Sequence, residues 1–357
     1  MVAVVTALLI TVPAVVTALR STGEPVDPGR LRALILQSDR RPYQGYAESS
    51  AQLGLPDLPN LGDVTSLLNG TTRMRAWYAS AALSRVDVLT TGDERGVYRT
   101  PEGEFTWDSG ANMLTELVGD PPVRLPRAGD LLPPELARRI LAAAPGDLVS
   151  ALAPRRVAGI AVPGIRLTPA DPDTTVGQVD IWAERVSGLP VRVEVTARGQ
   201  AAPILVTAFQ ELELSAPALP TTAPTAAPDS GFTVVVAPDV VKALGALAEV
   251  ALPARLAGRE LRTGVLGGFY GSGLASFFAL VLPRSTGTAA TDAAGDAGAA
   301  TLQLPGGTAV AQAIPPLSLI IVRSTVARRW YLLAGLVRPA VLETAARELS
   351  TLPRSGR

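Results

Sequence analysis

The 357-residue sequence contains no cysteine and no histidine. Without them there is no thiolate nucleophile, no imidazole base and no imidazole or thiolate metal site. A Ser-His-Asp triad, a Cys-His pair, structural zinc, disulfides and an acylated cysteine are all excluded. Carboxylate pairs are the acid–base chemistry that remains, and no cofactor is expected. Lysine is reduced to Lys242, and 32 basic residues meet 32 acidic ones, so the net charge is zero. Such a balance supplies no basic field for displacing counterions from phosphate, and nucleic acid is not expected as a partner. Aromatic residues make up only 4%.

What is present is aliphatic. The hydrophobic share is 47%, with 18% charged residues, a composition that suits a globular protein, and the length predicts two folded units. Residues 2–19, VAVVTALLITVPAVVTAL, form an uncharged run about as long as the ~18 residues of a spanning helix. Residues 1–20 therefore read as a signal or a transmembrane anchor, which predicts an extracytoplasmic protein, membrane-anchored or secreted. No basic residue precedes the run and Arg20 follows it, the reverse of the positive-inside bias; this predicts a start upstream of Met1.

Residues 215–231, SAPALPTTAPTAAPDSG, lack apolar periodicity and read as a Pro/Ala/Thr-rich linker between domains at 27–214 and 232–352. In the first domain, Asp27-Pro28 followed by Leu31, Leu34 and Ile35 predicts a capped helix. Period-two alternation in RMRAWYAS, GEFTWD, VGQVDIWAE, VRVEVTA and ILVTAFQELEL predicts strands, with a bulge where the last slips between Phe209 and Leu212. Between these sets, 133–144 and 147–152 read as short helices. The second domain is expected to open with the strand FTVVVA and pass through a helix near 240–250. Further strands then lead to a closing helix from Arg338 to Leu352, with 285–300 as a mobile loop.

Candidate chemistry is sparse. Gly267, Gly268, Gly271 and Gly273 in GGFYGSGLAS match neither a Walker loop nor a nucleophile elbow, because Tyr270 stands two residues before Ser272, and they read as turn glycines. Asp171 and Asp173 lack the ligand spacing of an EF-hand. Asp180 with Glu184, or Glu211 with Glu213, could pair as acid and base, but alternate strand positions commonly place such groups on a wet face. The protein is therefore expected not to be an enzyme. Trp77, Phe105, Trp107 and Trp182 are read either as core or as the walls of an apolar ligand groove.

Two stretches carry a family resemblance. Tyr270 to Leu282, YGSGLASFFALVL, with Ala334-Gly335-Leu336-Val337-Arg338-Pro339, resembles the C-terminal domain of the RseB/MucB family of sigma-factor regulators. TRMRAWYAS, GEFTWDSGANMLTEL, VDIWAERVSGLPVRVEV and TAFQELEL resemble the LolA-like N-terminal domain of that family. The resemblance implies an α+β fold, a half-open antiparallel β-barrel covered by helices and followed by a smaller α/β C-terminal domain. It also implies a lipid, lipoprotein or acylated ligand in the groove of Trp77, Phe105, Trp107 and Trp182. An anti-sigma factor is implied as a partner, docking near Tyr270 and Ser272, and the N-terminal segment would meet the membrane. A regulator that grips only protein, by a sheet edge or the interdomain cleft, is the alternative; a carboxylate-dependent hydrolase is a remote one.

Overall fold

The computed structural model describes residues 26–54, 62–119, 126–222, 224, 229–236, 251–263 and 267–353. The apolar segment at 2–19 and the helix expected near 240–250 lie outside these residues. Among the described residues no helix is long and apolar enough to cross a membrane.

Asp27 caps the first helix as its sequence predicts: its carboxylate accepts from the Arg30 amide at 2.7 Å, and Pro28 opens helix α1 (Pro28–Leu36). The chain then lays down β1 (Tyr43–Ala51), α2 (Gly62–Leu68), β2 (Thr71–Ser80), β3 (Leu83–Thr90), β4 (Asp93–Thr100), β5 (Gly103–Asp108) and β6 (Met113–Val118). Helix α3 (Pro133–Ala143) precedes β7 (Leu148–Val157), β8 (Ile160–Thr168), β9 (Val176–Ala183), β10 (Pro190–Ala197) and β11 (Leu205–Glu213). After the short helix α4 (Leu219–Thr222) comes β12 (Gly231–Val236). These strands form one unclosed twelve-stranded sheet in the order β12-β6-β5-β4-β3-β2-β1-β11-β10-β9-β8-β7. All its pairings are antiparallel except that of β12 with β6, which is parallel.

Helices α1 and α3 cover one face. Leu31 and Ile35 from α1 and Ala137 and Leu141 from α3 close on Ile165, Leu167, Ile181 and Val193, every one fully buried. Alongside, Met74, Ala76 and Tyr78 of β2 meet Leu131, Leu132 and Phe209. This is the α+β arrangement of a half-open barrel with helices on its inner side.

The second domain is built on an eight-stranded antiparallel sheet, ordered β13-β14-β15-β16-β20-β19-β18-β17. Its strands are β13 (Arg255–Leu256), β14 (Arg259–Thr263), β15 (Gly268–Tyr270), β16 (Phe277–Leu282), β17 (Ala300–Leu304), β18 (Gly307–Ile314), β19 (Leu317–Ser324) and β20 (Arg329–Gly335). Helix α6 (Pro339–Thr351) buries Leu342, Ala345, Ala346 and Leu349 against Ile320, Val322 and Leu333. Helix α5 (Arg284–Asp296) packs Ala290 and Ala294 on the other face, against Ile321, Trp330 and Leu332.

Three local expectations are corrected. Residues 285–300 are not a loop but largely α5, because alanine favours helix and its small side chains seat the helix closely on the sheet. At Gly287 a Cβ would lie 2.5 Å from the Trp330 ring, so glycine is what lets that contact form. The run 147–152 is not helical; β7 starts at Leu148 and pairs with β8. Phe232 to Val236, expected to open the second domain, instead add β12 to the first sheet.

The two domains meet through the turn between β8 and β9. Thr174 is fully buried there, its hydroxyl 2.9 Å from the Leu336 carbonyl and 3.1 Å from that of Leu274. The Thr175 amide donates to Leu336 and the Arg338 amide to the Asp173 carbonyl, at 3.0 and 2.8 Å. The Asp173 carboxylate takes Arg338 and Arg259, the latter at 3.0 Å. Leu274 and Leu336 pack into the core beneath α1 and α3.

Candidate binding surfaces

Three surfaces of the first domain bear on function: the space under the helices, the opposite face of the sheet, and its β12 edge.

The space under the helices is filled. Tyr43 stacks on Tyr78 at 5.1 Å between ring centroids and meets the Phe209 edge at 5.6 Å. The Tyr78 hydroxyl donates to the Asp39 carbonyl at 2.6 Å, and burial pushes the Tyr43 phenol far above its ordinary pKa. Among the described residues a cleft of about 80 Å³ remains at the margin, between β2–β4 and the turn leading into α3. Arg127, paired with Glu104, and Arg139, 2.6 Å from Asp130, line its mouth. Small-molecule pockets run from about 300 Å³ upward, so the cleft falls well short of an acyl-chain site.

Register places all four candidate groove aromatics on the opposite face. Trp77 alternates with the inward Ala76 and Tyr78 and pairs with Arg85, which pairs with Tyr98, which pairs with Phe105. Trp107 sits two positions on, opposite Gly96, whose own partner is Asp87. Trp182 follows the row Trp182, Arg192, Ala208, Glu48, Arg73, which also faces outward. Their side chains therefore alternate away from the helices; of the four, Trp77 contributes to the lining of the marginal cleft, and Phe105, Trp107 and Trp182 do not. Trp182 is 4% exposed, its indole N–H donating to the Ala153 carbonyl at 3.1 Å with Arg155 4.4 Å above the ring, and it is core.

The outer face has its own cover. Arg85 lies 4.8 Å over the Trp77 ring and 4.9 Å from that of Tyr98, and pairs with Asp87 at 2.6 Å and Glu94 at 2.8 Å. Asp87 is 1% exposed and Tyr98 5%. Burial pushes the Asp87 carboxyl up to about 6 against the opposing pull of Arg85, and the Tyr98 phenol up to about 12. The α4 segment crosses β2, β3 and β4. It does so on the outer face, because the turn at Ala128–Leu131 occupies the inner one, where Gly129 approaches the Val86 side chain. Thr222 in α4 is fully buried. Where it is described, the proline-rich stretch is thus packed on the sheet.

At the edge, β12 is bare. Phe232, Val234, Val235 and Val236 are 39% to 59% exposed, and Val118 beside Val236 is 37% exposed. The strand's uncharged run FTVVV was legible as β; its long-range partner β6 was not, since Val118 and Gly231 lie 113 positions apart.

In the second domain, Tyr270 is fully buried, stacked on Phe277 at 5.3 Å, with its hydroxyl donating to the Pro253 carbonyl at 2.7 Å. Its ring has no surface to offer a partner; Ser272 is exposed. Among the described residues no cluster of acidic side chains could hold a metal ion.

No family model and no curated protein matches the chain. Among solved structures, the complex of Pseudomonas aeruginosa MucA/MucB matches with a TM-score of 0.51 and 17% identity, covering 90% of this chain and 97% of that one. MucB in complex with MucA(peri) matches with 0.51 and 16%, over the same shares. The chain has the MucB fold. The match spans both domains, as the resemblance read from the sequence implies. A LolA superfamily protein from Nitrosomonas europaea covers 56% of this chain at 9% identity, with a TM-score of 0.24, too low for a shared fold to rest on.

Proposed function

We propose that this chain is an extracytoplasmic binding protein that regulates by gripping a segment of another protein, an anti-sigma factor in the manner that the MucB likeness suggests, and that it catalyses nothing. The observation that carries the reading is the filled space under α1 and α3: with Leu31, Ile35, Leu141, Ile165 and Ile181 fully buried, the cleft at its margin among the described residues, about 80 Å³, is too small for an acyl chain. Two further points support it. The folds that match over 97% of their length are those of MucB bound to MucA. The chain also lacks the imidazole and thiol on which most hydrolytic sites depend. The apolar run at 2–19 supports export.

The test is calorimetric titration of the full chain with the extracytoplasmic segments of the anti-sigma factors encoded in the same genome, with native mass spectrometry of the purified chain alongside. Saturable binding of one segment by lipid-free protein is expected. Retained lipid with no binding of any segment would return the chain to the carrier reading.

A further inference from the structure

Sheet edges invite pairing, and folded proteins guard them with charge, bulges, short strands or proline. Three of the four edges here are guarded. In the first sheet, β7 is bulged between Leu152 and Arg155 and carries Arg155 and Arg156. In the second, β13 is two residues long and includes Arg255, while β17 turns Thr301 and Gln303 to solvent. The fourth, β12, is six residues, GFTVVV, without charge or proline, and among the described residues no strand pairs with its far side.

The exposed apolar side chains concentrate at this unguarded edge. Parallel register aligns Phe232, Val234 and Val236 with Leu114, Glu116 and Val118. Antiparallel register aligns Leu114 and Glu116 with Trp107 and Phe105. One face of β5-β6-β12 is therefore an aromatic and aliphatic strip, interrupted only by Glu116, that runs up to an open ladder of backbone donors and acceptors. Val235 projects on the other face, so a strand added outside β12 meets apolar neighbours on both sides.

We propose that the far edge of β12 is a strand-addition site for an extended, uncharged segment of a partner protein rich in β-branched residues. Backbone hydrogen bonds to β12 would give affinity, and the Phe232, Val234 and Val236 strip would select the side chains. A second copy of this chain is the poorer occupant. Pairing β12 with itself joins six residues a side, against the roughly 20–30 of a stable interface, whereas an added peptide strand needs no larger footprint. The inference rests on the protein-binding reading and names where on the molecule the partner lies.

The experiment uses the full chain and a fluorescent decapeptide of alternating valine and threonine with lysine termini, read by anisotropy. Val234→Lys with Val236→Lys guards the edge at exposed positions, and Val326→Lys, in an exposed turn of the second domain, is the control. The double variant is expected to weaken peptide binding at least about tenfold, as is alternate N-methylation of the peptide, with Val326→Lys unchanged. Equal binding by the double variant, no peptide binding by the parent chain, or an edge that only changes sedimentation of the chain with itself would each overturn the proposal. If an anti-sigma segment binds the double variant as tightly as the parent, the edge is wrong and the protein-binding reading stands. If no segment binds either protein while the peptide still discriminates them, the reverse holds.

Discussion

Asp87 is a carboxylate held between Arg85 and Glu94 on the covered outer face, and its protonation is coupled to folding. Its native pKa stands near 6, against about 3.9 in an unfolded chain. Between those values the native state holds the proton more tightly than the unfolded one. Its contribution to stability is therefore largest below about pH 4, declines as pH rises to about 6, and is level above. Asp87→Asn abolishes that dependence. The parent's stability relative to the variant should fall by about 1–3 kcal/mol between pH 4 and 7 in urea titrations; a constant difference would mean that the carboxyl ionises normally.

Gly45 supplies a steric counterpart. A Cβ there would stand 2.3 Å from the Glu211 carbonyl oxygen and 3.2 Å from the Phe209 ring, beside the register shift at Tyr46/Ala47 that leaves Gln210 unpaired. Gly45→Ala should cost about 1–3 kcal/mol, read as a lowered urea midpoint at unchanged slope. The sequence located this bulge through the slip in alternation between Phe209 and Leu212. It was silent on Gly45, because the clash lies across strands 166 positions apart.

Among the elements, α1 was legible because cap, proline and apolar stripe agree, and α3 through its apolar stripe alone. Asp27→Ala removes the acceptor of the Arg30 amide and should lower stability by about 1 kcal/mol. Leu141→Ala, in α3, opens a void against Ile165 and Ile181 and should cost about 2–5 kcal/mol, measured in the same urea titrations. A value near zero for Leu141 would mean that the space under the helices can collapse or admit a ligand. The elements misread from sequence are those whose local signal is weak. Helix α5 has glycines and threonines throughout and is held by Trp330 and Ile321, contacts no window of sequence contains. Strand β7 is largely exposed and bulged between Leu152 and Arg155, which blurs its period, and its partner β8 decides its form. The aromatics of the expected groove were placed correctly on strands. Which face they took depends on register with neighbours, and a shift of one residue exchanges the faces.

For the whole molecule, the stretch at 215–231 was read as a linker dividing two domains, and the turn between β8 and β9 joins them. The ion pairs of Asp173 are its most visible part but the weaker one. Arg338 is 54% exposed there, and pairs so open to water contribute about 0–1 kcal/mol. The buried Thr174, the backbone bonds from Thr175 and Arg338, and the apolar contacts of Leu274 and Leu336 should dominate. If a protease site is introduced between residues 237 and 250 and cleaved, the two fragments should co-elute in size-exclusion chromatography, with or without 0.5 M salt, roughly a threefold excess over physiological strength. Asp173→Ala should leave them together, while Thr174→Arg, which forces a charge into a fully buried position, should separate them. Separation of the unsubstituted fragments, or their retention in Thr174→Arg, would show that the turn is not what joins the domains. A partner strand added at β12 would then be held to the first domain alone, with no fixed geometry toward the second.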